Sequence, residues 1–203
     1  MVKRPHARSR RTTAAISGLP LCLALCLSLL AGCGSDTDGK ASVPKGWSTL
    51  DTDSLSVGYP KNQGYAEQPA AERSESNAAV ALKVENGIRT GMVSVQLDFA
   101  TGVSDAAGAA AAAGAGIGLG ATRKSTKDVR LAGPSSARDA RRIDYDFTAD
   151  GQNDTPNKGT PMTGVLVAGV DSGGVPFVVR LNAVKRAVEG AELDAFVGSI
   201  AVK

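Results

Sequence analysis

The chain has 203 residues, with 23 Lys and Arg against 20 Asp and Glu, a single His, three Cys and only 4% aromatic residues. That length suits one domain of about 150 residues behind a leader, and three Cys are too few for a disulfide-dense scaffold. The basic excess sits in Lys3, Arg4, Arg8, Arg10 and Arg11, ahead of an apolar run, so it gives no argument for nucleic-acid binding.

The apolar run extends from Ala14 to Leu30 and is densest from Leu19 onward. It is short for a transmembrane helix, which needs about twenty mostly apolar residues. A basic start, a short apolar middle and small residues before a cut site are the marks of a secretory signal. The run ends in Leu30-Ala31-Gly32-Cys33, which resembles the lipobox of bacterial lipoproteins. Small residues let an extended segment enter a peptidase cleft, and the Cys33 thiol supplies the nucleophile that takes the lipid. The resemblance implies a signal peptide over residues 1–32, cleavage between Gly32 and Cys33, and a lipid on Cys33. It also implies a location on the extracytoplasmic face of the cell membrane. Ser9-Arg10-Arg11 is similar to the start of a twin-arginine signal, but Thr12 and Thr13 stand where apolar residues belong. Ordinary secretion is the expected route and twin-arginine export the alternative.

Loss of residues 1–32 leaves eighteen basic against twenty acidic residues, a net charge of −2. His6, Cys22 and Cys26 leave with the leader. A mature chain without His and without a free Cys has no Ser-His-Asp or Cys-His nucleophile system and no Cys/His zinc site. The expectation is a chain with no cofactor, no metal and no catalytic role.

Residues 33–45 are small and polar, Gly-Ser-Asp-Thr-Asp-Gly-Lys-Ala-Ser-Val-Pro after the cysteine, and read as a flexible tether reaching at most about 35–40 Å. One domain is expected over residues 46–203. Leu55, Val57 and Tyr59 alternate with Ser56 and Gly58; Val80, Leu82 and Val84 alternate with Ala81 and Lys83; Asn86-Gly87 offers a turn. Val93 to Phe99, Ile143 to Phe147 and Phe177 to Ala183 continue the pattern, and Val165 and Val167 continue as a more apolar run to Val170. Period-two alternation predicts half-buried strands, and the short turns predict antiparallel pairing. A helix is predicted over Ala106 to Ala115, capped by Ser104 or Asp105 and made only of Ala and Gly. A second helix is predicted from the stripe Leu193, Phe196, Val197 and Ile200, with a short terminal strand after it. The fold class expected is α+β, an antiparallel sheet flanked by helices.

The opening Trp47, Leu55-Ser56-Val57-Gly58-Tyr59-Pro60 and the close, Val178-Val179-Arg180-Leu181 followed by Leu193-Asp194-Ala195-Phe196-Val197-Gly198-Ser199-Ile200, resemble those of PsbP-like domains and of the lipid-anchored LpqN-type lipoproteins of actinobacteria. The resemblance implies an α/β/α sandwich. It carries over no catalytic residue, since that group shares no catalytic motif.

Three further stretches invite chemistry. Gly114-Ala115-Gly116-Ile117-Gly118-Leu119-Gly120 is glycine-rich but follows the predicted helix instead of opening one, so a helix end is favoured over a phosphate loop. Asp150-Gly151-Gln152-Asn153-Asp154 lacks the calcium-loop pattern and reads as a solvated hairpin loop. Arg123, Lys124, Lys127, Arg130, Arg138, Arg141 and Arg142 are opposed in sequence only by Asp128 and Asp139. They read either as the polar side of two surface strands or as a candidate patch for an anionic surface. Asp144 and Asp146, on one strand face with Arg142, suggest surface charge pairing. The function expected is a non-catalytic binding or assembly role at the cell envelope, with the membrane as partner through Cys33 and an envelope protein or anionic surface as the other candidate. The alternatives are a carrier holding a small apolar or lipid-like ligand between the sheet and the Ala/Gly helix, and a hydrolase working with carboxylates alone.

Overall fold

The computed structural model describes residues 40–118 and 120–203. The leader, Gly32 and Cys33 lie outside the described residues. Part of the expected tether does not: the Ser42 N–H donates to the Gly198 carbonyl at 3.0 Å, so the chain is docked before residue 46.

The fold is α+β, with two antiparallel sheets. β1 (Ser48–Asp51), β2 (Leu55–Tyr59) and β10 (Ala201–Val202) form a small sheet in the order β1-β2-β10. The other sheet holds β3 (Tyr65–Glu67), β4 (Ala79–Glu85), β5 (Ile88–Leu97), β6 (Thr122–Arg130), β7 (Asp139–Thr148), β8 (Pro161–Val170) and β9 (Pro176–Val184). Its order is β3-β4-β5-β9-β8-β7-β6, antiparallel throughout. The β4–β5 hairpin turns on Asn86 and Gly87, both with positive φ, the conformation that matches strand twist in a two-residue turn. The β8–β9 turn is held by Asp171, whose Oδ1 accepts from the N–H groups of Gly173 and Val175.

Alternation sends the side chains of the large sheet to two faces. On one face Val93, Val95, Val165, Val167, Phe177, Val179 and Leu181 join Leu50, Leu55 and Val57 of the small sheet in a single core. Phe196 of helix α2 (Gly190–Gly198) completes that core. Ile200, expected in the helical stripe, lies past the helix end and is fully buried there. On the opposite face Ile143, Tyr145, Leu166, Ala168 and Val178 pack against helix α1 (Ala106–Ala115). Asp105 caps α1, its Oδ1 accepting from the Gly108 N–H at 2.7 Å. Ala109, Ala110 and Ala113 form the buried side of α1, and because the helix contributes only methyl groups to this layer its axis lies close to the sheet.

Among the described residues, no helix is long and apolar enough to cross a membrane.

Candidate functional site

The basic stretch is dispersed by the sheet. β6 is the edge strand, and its register sets Arg123 opposite Tyr145, Lys127 opposite Arg142 and Arg130 opposite Asp139. Arg123, Arg130 and Arg141 therefore share the α1 side of the sheet, and Lys127 and Arg142 share the α2 side. Four of the seven also meet carboxylates. Lys124 faces Asp146 at 3.7 Å, Arg130 faces Asp139 at 3.6 Å and Arg141 faces Asp128 at 2.8 Å. Arg142 bonds Asp144 at 2.8 Å and reaches Asp194 on α2, tying strand to helix. Arg138 donates to the Leu131 carbonyl. Among the described residues only Arg123 and Lys127 of the set lack such partners, and they lie on opposite faces. Acids distant in sequence balance the stretch in space, and a strand's two-residue period splits what remains.

A cleft of about 470 Å³ opens on the α1 side of the large sheet, beyond the C-terminal end of the helix. Its size falls within the roughly 300–1,000 Å³ of small-molecule sites. Its floor is one row of residues in register across five strands: Leu82, Met92, Asn182, Gly164 and Tyr145. Gly164 is the gap in that row. A Cβ there would overlap both the Tyr145 ring and Asn182 Oδ1. Because the space is empty, Tyr145 leans over β8 and its hydroxyl donates to Asn182 Oδ1 at 2.5 Å. Phe147 stands beside Tyr145, ring centroids 5.8 Å apart.

The walls come from two loops. Gly116, Ile117, Gly118, Gly120 and Ala121 follow α1 and form one rim. The glycine-rich run is thus a helix end, as its position in the sequence implies, and it also edges the cleft. The β7–β8 loop forms the other wall through Ala149, Asp150, Thr155 and Pro156. This loop is more than a solvated hairpin. Asp150 Oδ1 accepts from the Gln152 N–H and the Thr155 hydroxyl, the Arg89 N–H donates to the Asp154 carbonyl at 2.7 Å, and the Arg89 guanidinium donates to the Asn153 carbonyl. Pro156 is buried beneath it. A carrier reading places the ligand between α1 and the sheet, but Ala109, Ala110 and Ala113 close that space; the opening lies past the helix.

The polar groups of the cleft have distinct states. Burial pushes the Tyr145 phenol up to about 12, with Arg180 and the Asn182 hydrogen bond working against the rise. Asp150 is held below the usual carboxylate range, first by the Gln152 N–H and then by the Thr155 hydroxyl. Arg180 is half-buried, and its Nε is buried without a hydrogen-bond partner among the described residues. Its Nη2 lies 3.7 Å from where a Cβ of Gly116 would stand, at the C-terminal end of α1. The partial negative charge of a helix C-terminus favours a cation there.

No protein-family model and no curated protein sequence matches the chain. Solved structures do. LpqN of Mycobacterium tuberculosis, described as involved in cell envelope biogenesis, is similar at 14% identity and a TM-score of 0.39, over 81% of this chain and 82% of that one. A Bacteroides thetaiotaomicron protein is similar at 14% identity and a TM-score of 0.40 over 73% of this chain; the match spans 45% of that protein, less than half its length. Protein PA94 of Pseudomonas aeruginosa is similar at 12% identity and a TM-score of 0.35, over 73% of this chain and 86% of that one. Likeness at this level assigns no role.

Proposed function

We propose that the chain is a lipid-anchored extracytoplasmic binding protein of PsbP-like type, and that its working part is a non-catalytic cleft for a small ligand. The anchor rests on the sequence of a basic start, an apolar run and the lipobox ending at Cys33. The cleft carries the rest: an opening of about 470 Å³ at the end of α1, apolar at Leu82, Met92, Ile117, Phe147 and Met162 and polar at a few points, which is the usual make-up of a small-molecule site. It moves the carrier reading ahead of assembly with a protein partner. The groups at the cleft argue against catalysis. Tyr145 stays protonated and bound to Asn182. Asp150, the carboxylate among the lining residues, is committed to its loop. General acid–base work needs a group that titrates near the working pH.

Two measurements test this. Cys33→Ala should move the protein out of the membrane fraction or leave an unprocessed precursor; an unchanged membrane fraction with an unmodified Cys33 would remove the anchor. Native mass spectrometry of the protein extracted from its own membranes should show a bound small molecule. Bare chain, together with a specific cross-linked protein in cells, would return the assembly reading to first place.

A further inference from the structure

The geometry points to an anionic head group on the ligand, bound by Arg180 with Asn182, and an apolar body lying along Met92, Ile117 and Phe147. This rests on the cleft being a ligand site and adds the chemistry of the ligand.

An arginine has five N–H donors and stays charged. Burying such a group without a partner is costly, so a buried guanidinium is normally met by a carboxylate, a phosphate or several carbonyls. Arg180 sits in the middle of a seven-stranded sheet on β9, with Ser94 and Leu166 as its register neighbours. Among the described residues it makes no ion pair, and its Nε is buried and unsatisfied. The end of α1 explains why a cation is tolerated there, but no α1 carbonyl accepts from it among the described residues. The Nη groups, which are not buried, are left for whatever occupies the cleft.

Asn182 adds to this. It lies two residues along the same strand on the same face, and both line the cleft. Its Oδ1 is taken by the Tyr145 hydroxyl, so its Nδ2 hydrogens are what it can offer a ligand. A guanidinium fork and an amide N–H pair, both donors, select an acceptor with several lone pairs. The carboxylate of Asp150 is the opposing charge among the lining residues. It is turned into its own loop by Gln152 and Thr155, and Arg89 stands near it and offsets it. A neutral apolar ligand would cover the Arg180 guanidinium and leave it unmatched, and a cation would meet two arginines. A carboxylate and a phosphate monoester both satisfy the donors.

The test is equilibrium dialysis of radiolabelled octanoate, octyl phosphate and octanol against the full chain in phospholipid nanodiscs, with empty nanodiscs as the blank. At least one of the two anions should bind about tenfold or more tighter than octanol, the size of one charge-assisted contact. Which anion wins identifies the head group. Arg180→Gln should erase the preference and leave all three probes at the octanol affinity, and Arg180→Lys should keep part of it; a thermal melt by circular dichroism checks that each variant folds. If octanol binds the unmutated chain as tightly as both anions, the head-group assignment is overturned while the cleft stands. An anion preference that survives in folded Arg180→Gln overturns the role of Arg180. Failure of all three probes to bind overturns the head group and the cleft together.

Discussion

On one face of the large sheet Phe177, Leu181 and Val93 belong to a closed core with Leu50, Val57, Phe196 and Ile200. On the other, Ile143, Leu166 and Val178 are met by the methyl groups of Ala109, Ala110 and Ala113. Both covers are tight where they touch. They differ in extent: a small sheet and a helix bearing Phe, Leu and Val cover the first face, and a ten-residue helix of Ala and Gly covers the second. A thin element lies close but covers little, so the strands that run beyond its end remain open. There the outward residues are Met92, Arg180, Asn182 and Tyr145, and the cleft forms. Side-chain bulk in the covering layer decides how much of each sheet face is closed over and how much stays open.

The largest break in this contrast should come from the closed face. Phe177→Ala removes a fully buried ring and should cost about 3–5 kcal/mol, read as a lower urea midpoint with an unchanged slope. On the α1 face the sensitive change is addition. Ala109→Leu, at a fully buried position, forces the helix off the sheet and should cost about 1–3 kcal/mol; because α1 carries the rim at Gly116 and Ile117, the cleft should change with it.

The two faces also share a titration. Burial raises the phenol pKa of Tyr65 on the closed face and of Tyr145 on the open one. The folded pKa lies above the unfolded one, so the stabilisation is complete below pH 10 and is lost as pH rises toward the folded value, about 12 for Tyr145. Urea midpoints should fall over that alkaline window, and Tyr145→Phe should flatten part of the fall. The smallest effect belongs to the basic stretch. Arg141→Ala breaks an exposed pair with Asp128 and should change stability by no more than about 0.5 kcal/mol.

The alternating strands are legible in the sequence because one face of each is more apolar than the other. β2, β4, β5, β7 and β9 fall on the stretches that alternate, β8 on the more apolar run through Val165 and Val167 to Val170, and α1 on the run from Ala106 to Ala115. β1 and β3 are short and carry no pattern of their own; the strands they pair with define them. The cleft is harder to read. Arg89, Asp150, Tyr145 and Arg180 come from four separate elements, and only the strand order brings them together. Arg180 and Asn182 look like the polar, solvated side of a strand when β9 is read alone. What hides in plain sight is Gly164, a glycine inside an apolar strand, which marks a close approach by a neighbouring side chain. Pro156, apolar within a polar loop, is a weaker sign of the same site.

One face of the large sheet is closed, and the proposed function puts a ligand on the other. Methyl-resolved NMR of the protein during titration with octanoate tests it most directly. Shifts are expected at Leu82, Met92, Ile117 and Met162, which line the cleft, with Leu50, Leu55, Val93 and Leu181 unmoved. Shifts centred on the Leu50 and Leu181 group, or spread evenly over both sets, would contradict it.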